Sequence, residues 1–227
     1  MEKEIFRLDK KQCYFYIKEK PECIIIQPVE EDTVRVLGRQ VELISQKSRS
    51  GFLYAAFKVD NWNDELSPWT ADPVFGREGF KGGAHDTLDF ILNELLPSAL
   101  QKSGLKKAPV IIGGYSLAAL FSLWCGYQTE SFSAVAAASP SVWFPGWTNY
   151  INENTAKTHC IYLSLGDKEE KTKNRTMKAV GDNIRLQHQI LAREGKETIL
   201  KWNDGNHFKD IDIRCADAFT WCLESVL

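Results

Sequence analysis

The segment Ala108-Pro109-Val110-Ile111-Ile112-Gly113-Gly114-Tyr115-Ser116-Leu117-Ala118-Ala119-Leu120 constrains the fold more than any other part of the sequence. A short apolar strand runs into a serine with Gly114 two residues before it and Ala118 two residues after it. An apolar helix from Leu117 to Gly126 follows at once. Strand, sharp turn and helix in that order are the layout of a nucleophile elbow, here with alanine in place of the second glycine. The turn is tight, so the positions two before and two after the serine are small. It lifts the hydroxyl clear of the sheet and aims the amide of Leu117 at whatever the hydroxyl attacks. As a bare pattern, Gly-x-Ser-x-small recurs by chance, and a buried strand–helix corner without chemistry is its plain alternative. The apolar strand and helix on either side give it weight.

The flanking sequence alternates strand and helix patterns. Gln12 to Ile17, Glu22 to Gln27 (ended by Pro28) and Phe52 to Val59 read as strands. Between the last two, Val34, Leu37, Val41 and Ile44 mark one face of a helix. Residues 60–83 read as a long loop rich in Asn, Asp, Pro, Gly and Trp. Asp86 is placed to cap a helix with core face Leu88, Ile91, Leu92 and Leu95, kinked or ended at Pro97. After the elbow come a small-residue strand, Phe132 to Ala138, a short helix at 147–154 and a strand from Cys160 to Leu165. Met177, Val180, Ile184 and Leu191 line one long helix that stops at Gly195. Thr198 to Trp202 is the last strand, and Ile211, Cys215, Ala218, Phe219 and Cys222 form the apolar face of the last helix. Such alternation predicts an α/β fold, a mainly parallel central sheet with helices on both faces. No linker, repeat or large lid domain interrupts residues 1–227, so one domain is expected.

Composition removes several function classes. The net charge is −2 with no block of Lys or Arg, so neither nucleic acid nor an anionic membrane surface is an expected partner. No apolar run approaches the ~20 residues of a membrane helix, and the charged start Met1-Glu2-Lys3-Glu4 has no secretory apolar core. Six cysteines show neither Cys-x-x-Cys nor zinc spacing with histidine. They read as reduced core thiols of a cytoplasmic protein, with no metal. Self-association into a homodimer is left open.

A serine hydroxyl attacks only when a base takes its proton, and the base needs a carboxylate to orient it. His85 precedes the serine, His159 opens a strand, and His188 lies within a polar stretch of helix. His207 remains, in the turn-rich loop Trp202-Asn203-Asp204-Gly205-Asn206-His207-Phe208 between the last strand and last helix. The acid belongs after the strand Cys160–Leu165, in Gly166-Asp167-Lys168-Glu169-Glu170. Glu169, three residues past the glycine, is preferred, with Asp167 as the alternative and Glu170 the third carboxylate. For the oxyanion hole, Leu117 supplies one backbone N–H. Pro28 has none, so Val29 is the second expected donor. Trp62, Tyr115 and Trp143 are the expected pocket residues, with Trp69 and Trp147 able to join them or simply to pack a loop.

Taken together, these segments resemble the esterase D-like family of the α/β-hydrolase superfamily. Asn93-Glu94-Leu95-Leu96-Pro97 looks like the family's helix before the nucleophile strand, and Gly114 to Leu120 matches its elbow. Ala138-Ser139-Pro140-Ser141-Val142-Trp143-Phe144 looks like its Ser-Pro-Ser-x-Trp segment. Gly166 to Glu169 fits its acid loop, and Asn206-His207 falls where a Gly-His pair is usual. The match spans about residues 86–226. Pro28-Val29 departs from the family's His-Gly or Asp-Gly at the oxyanion loop. The resemblance implies an α/β-hydrolase that cleaves small-molecule carboxylic esters or thioesters through an acyl-enzyme on Ser116, with His207 as base and no cofactor. The alternatives are an inactive scaffold that binds a ligand or partner, and an acyltransferase using the same serine.

Overall fold

Strands built from isoleucine, valine and alanine, separated by amphipathic helices, form a layered molecule; the computed structural model describes residues 1–74 and 76–227. The first third contains β1 (Glu2–Leu8), β2 (Lys11–Ile17), β3 (Pro21–Val29), α1 (Glu31–Lys47) and β4 (Gly51–Lys58). A short helix α2 (Trp62–Glu65) and the small hairpin β5 (Thr70–Ala71) and β6 (Phe80–Lys81) follow. Then come α3 (Ala84–Phe90), α4 (Leu96–Ser103), β7 (Val110–Tyr115), α5 (Leu117–Gln128) and β8 (Ala134–Ala138). The last third holds α6 (Trp147–Glu153), β9 (Cys160–Gly166), α7 (Arg175–Lys178), α8 (Val180–Arg193), β10 (Glu197–Asn203) and α9 (Ile211–Val226).

Among the described residues, eight strands form one sheet in the order β1-β2-β4-β3-β7-β8-β9-β10. From β4 to β10 every neighbouring pair is parallel; β1 and β2 add an antiparallel margin. Alternate residues of each strand feed two cores. Ile24, Ile26, Ile112 and Val135 pack under α3 to α6 and α8. Cys23, Ile25, Ile111 and Ala136 face α1 and α9. Strands buried on both faces explain why the sequence shows apolar runs rather than alternation.

Crossovers run from β3 to β4 in one direction along the sheet and from β7 to β8 in the other. The carboxyl ends of β3 and β7 therefore flank a switch point, where a crevice opens in doubly wound sheets.

Several sequence expectations need correction. β1 was unread because its alternating Glu, Lys, Ile and Phe suit a charged edge strand rather than a core strand. Pro28 does not end β3, which continues to Val29; β7 pairs only Ile24 to Ile26, so Pro28 needs no partner on that side. Asp86 lies in the first turn of α3, and the capping position belongs to Gly83. Pro97 neither ends nor sharply breaks its helix. A π-turn over Ile91–Leu95, closed by Leu96 N–H on the Ile91 carbonyl, leads into α4 with Pro97 in its first turn. The long loop over 60–83 contains α2 and the β5–β6 hairpin; Phe75 within it lies outside the described residues. The single long helix expected around Met177–Leu191 is interrupted at Ala179, between α7 and α8.

Candidate active site

The elbow forms as its spacing requires. Ser116 sits between β7 and α5 at φ 58° and ψ −121°, a strained backbone for a non-glycine residue. A Cβ on Gly114 would stand 2.8 Å from the Cβ of Ala118, so with alanine at 118 only glycine fits at 114. α5 is buried from Leu117 to Tyr127, which fixes the turn against both core and sheet.

Three loops at the carboxyl edge of the sheet bring the chemistry together. His207 Nε2 lies 3.0 Å from Ser116 Oγ, and His207 Nδ1 lies 2.7 Å from Glu169 Oε2. Serine, imidazole and carboxylate therefore form one hydrogen-bonded row. Burial works against ionising Glu169. The hydrogen bond and charge of His207, the Gly166 amide and the Ser139 hydroxyl outweigh it and hold the carboxyl below its ordinary range.

The two competing carboxylates are elsewhere. Asp167 accepts from the Gly205 amide at 2.7 Å and so ties the acid loop to the His207 loop. Glu170 pairs with Arg185. His85 packs edge-on against Trp124, His159 precedes β9, and His188 lies on α8, each outside the row.

Sequence reasoning missed Arg214, and it gave Ser139 and Ser141 after β8 only as part of a family segment, without a role. Arg214, on the buried face of α9, donates to Glu169 Oε1 at 3.1 Å, to the Tyr115 hydroxyl at 2.9 Å and to the Asp204 carbonyl at 3.0 Å. Its only sequence signal is a charge three residues past Ile211, on the helix's apolar stripe. Ser139 donates to Glu169 Oε1 at 2.9 Å, and Ser141 Oγ lies 3.2 Å from Ser116 Oγ. A Cβ on Gly166 would meet the Gly205 carbonyl at 2.4 Å and Glu169 Oε1 at 2.8 Å, so this crossing of loops requires glycine.

The expected pocket residues separate into two groups. Trp62 and Tyr115 line a cavity of about 320 Å³ that also holds Ser116 and His207. Trp143 lines a second cavity of about 250 Å³ beside His207. The Tyr115 hydroxyl is already committed, donating to the His207 carbonyl at 2.7 Å. Trp69 and Trp147 pack together, with Trp69 bonded to the Pro145 carbonyl and Trp147 to Gln187.

The two amides expected to form an oxyanion hole are placed differently. Leu117 N–H starts α5 and points from the elbow. The Val29 carbonyl, however, accepts from Val59 N–H at 2.9 Å. In a parallel ladder the N–H and C=O of one residue face the same neighbour, so the Val29 amide is turned toward β4 and away from the crevice. Successive amides of a strand alternate in side, so that of Glu30 is directed away from β4. Among the described residues no group of three His, Cys, Asp or Glu side chains is placed to hold a metal ion.

The model of the family described as "Putative esterase" matches residues 61–210. No curated protein matches the sequence at a significant level. Among solved structures, the siderophore hydrolase EstA from Aspergillus nidulans aligns with a TM-score of 0.76 at 18% identity, over 95% of this chain and 90% of that one. An IroE-like serine hydrolase from Shewanella oneidensis aligns with a TM-score of 0.78 at 16% identity, over 97% of this chain and 79% of that one. The enterobactin esterase FES from Shigella flexneri, in the presence of enterobactin, gives 0.72 at 13% identity, over 100% of this chain and 59% of that one. Likeness at these identities shows the fold, that of an α/β-hydrolase.

Proposed function

We propose, from the premise that the chain belongs to this esterase family, that Ser116, His207 and Glu169 act together as nucleophile, general base and orienting acid. The protein is a serine ester hydrolase. The observation that supports these roles is the hydrogen-bonded row from Ser116 Oγ through both ring nitrogens of His207 to Glu169.

Ser116 Oγ attacks the ester carbonyl while His207 Nε2 takes its proton. The tetrahedral oxyanion is met by Leu117 N–H and, in place of Val29, by Glu30 N–H; one such donor contributes ~3 kcal/mol in the transition state. Collapse breaks the bond to the leaving alcohol or thiol, which takes the proton from His207. Water, deprotonated by His207, then releases the acid and restores Ser116. Glu169 keeps the imidazole in the correct tautomer and stabilises its cation.

Residues 1–227 form one domain, a view supported by a single sheet whose strands run from Glu2 to Asn203. The cytoplasm is its location, supported by six unpaired cysteines. Among the described residues no helix is long and apolar enough to cross a membrane.

The test is hydrolysis of p-nitrophenyl acetate and butyrate by the wild type, Ser116→Ala, Glu169→Gln and Asp167→Asn. Ser116→Ala is expected to lose about 10⁴-fold or more in kcat with the fold retained by circular dichroism. Glu169→Gln is expected to lose far more than Asp167→Asn. Turnover retained without Ser116 refutes the mechanism. Siderophore esters, which the names of the structural neighbours specify for those proteins, join the substrate screen.

A further inference from the structure

Two cavities share His207 and Phe208 as lining residues, with Ser116 in one of them, and their charges are opposite. In the one that holds Ser116, Glu30 and Asp32 are the charged lining residues apart from His207; no Lys or Arg lines it. The other has an apolar floor of Pro140, Trp143, Met177 and Val180 and carries the exposed Lys168 and Lys171. Its single carboxylate, Glu169, is committed to His207 and Arg214, so the two lysines set its sign.

Within the acidic cavity the carboxylates are not equivalent. Asp32 pairs with Arg35, and the adjacent Glu31 pairs with Lys58. Glu30 occupies the N-cap of α1, where an acidic side chain is ordinarily explained by the helix dipole. Its side chain makes no capping hydrogen bond, and among the described residues its carboxylate has no hydrogen bond or ion pair. It lines the serine cavity instead. Glu30 stands exposed at the rim of this cavity, and its partial desolvation there, then the charge of Asp32, push its carboxyl up. Negative charge also develops on the substrate in this cavity during attack. An unpaired carboxylate there works against the transition state of a neutral ester, and a positive charge on the substrate offsets it.

Resting on the reading of Ser116 as nucleophile, we propose that the enzyme's substrates are esters in which one arm carries a cationic amine. That arm occupies the cavity of Glu30, which pairs with its charge, and of Trp62, whose ring supplies an aromatic surface for it. The apolar arm occupies the Trp143 chamber, where the lysines repel a cation.

Two matched pairs test this. On the alcohol arm, acetylthiocholine is compared with its carbon isostere, in which tert-butyl replaces trimethylammonium. On the acyl arm, the p-nitrophenyl ester of trimethylammonio-pentanoic acid is compared with its tert-butyl isostere. The wild type is expected to favour the cationic member of one pair by about fivefold or more in kcat/KM. Glu30→Gln should bring that ratio toward one, and Glu30→Lys should bring it below one. Wild-type ratios near one on both pairs, or a ratio unmoved by Glu30→Gln, would overturn the proposal. Failure of the underlying reading shows separately, as turnover that survives Ser116→Ala. If the wild type turns over no probe, calorimetric binding of choline and its tert-butyl isostere decides: charge-selective binding lost in Glu30→Gln upholds the proposal, and no selectivity refutes it.

Discussion

Arg214 carries a full charge into the interior, with its side chain 3% exposed beside the 5% exposed carboxylate of Glu169. A buried charge is tolerated only when it is paired and hydrogen-bonded, and the fork of the guanidinium reaches three partners at once. It holds the acid through Glu169, the His207 loop through the Asp204 carbonyl, and Tyr115, whose hydroxyl in turn donates to the His207 carbonyl. On the proposed mechanism Arg214 is therefore a positioning residue for Glu169 and for the backbone that carries His207. Arg214→Met is expected to destabilise the protein by about 3 kcal/mol, since it strands a buried carboxylate. It should lower kcat with little change in KM. Arg214→Lys keeps the charge but loses the fork and should recover only part of kcat. Urea unfolding and steady-state kinetics of the two variants check this, and an unchanged kcat in Arg214→Met excludes the role. Ser116 and His207 were legible in the sequence because each stands in a loop directly after a strand, and Glu169 because it lies three residues past Gly166. Arg214 was not, since a lone charge on the apolar stripe between Ile211 and Cys215 gives no sign of the partners it reaches in other loops. The Val29 expectation failed for a related reason. Which way an amide faces depends on strand register, and register is a property of two segments, not one.

The elbow shows how an element imposes its geometry on a residue. β7 and α5 are both buried, so the turn between them cannot relax by moving either, and Ser116 is left at positive φ. Strain of this kind costs on the order of 1–3 kcal/mol and persists because the surroundings fix it. The contact that matters most is Gly114 against Ala118. Gly114→Ala is expected to cost about 1–3 kcal/mol through overpacking and to lower kcat by displacing Ser116. The double variant Gly114→Ala with Ala118→Gly should recover part of both, because it removes the 2.8 Å clash between the two Cβ atoms while leaving the contact to the residue 118 backbone. Thermal unfolding and kcat across the four-member cycle measure the coupling, and strict additivity would show that the two positions do not act on each other. At this scale the sequence was most legible where an element is buried and uniform, as in β7 with α5. It was least legible at margins. β1 hides in alternating charges, and Pro97 is accommodated in the first turn of α4, just after the π-turn over Ile91–Leu95.

Across the whole molecule, alternating strands and helices made the parallel class legible, but not the strand order or the antiparallel β1–β2 margin, which depend on pairings distant in sequence. One consequence of that order is a charge device on the α1–α9 face. Asp217 on α9 pairs with Lys47 at the end of α1 and, at 2.7 Å, with Lys201 on the edge strand β10, so a single carboxylate ties three elements together. Burial opposes its ionisation, yet hydrogen bonds from Lys201 and Lys47 and their charges hold its carboxyl below the ordinary range. A carboxyl lower in the folded than in the unfolded state stabilises the fold at pH values above its unfolded value, about 3.9 for aspartate, and loses that contribution as pH falls through the folded value. Asp217→Asn is therefore expected to be less stable than the wild type by about 1 kcal/mol at neutral pH, a modest figure because the pairs are partly exposed and screened. The gap should persist at pH 5 and close as the pH falls below about 4. Urea unfolding of both proteins at pH 7, 5 and 3.5, repeated in high salt, measures it. A gap that shrinks with acid and with salt places the effect in the Asp217 charge, whereas one constant across all conditions places it in the packing of α9 against the sheet.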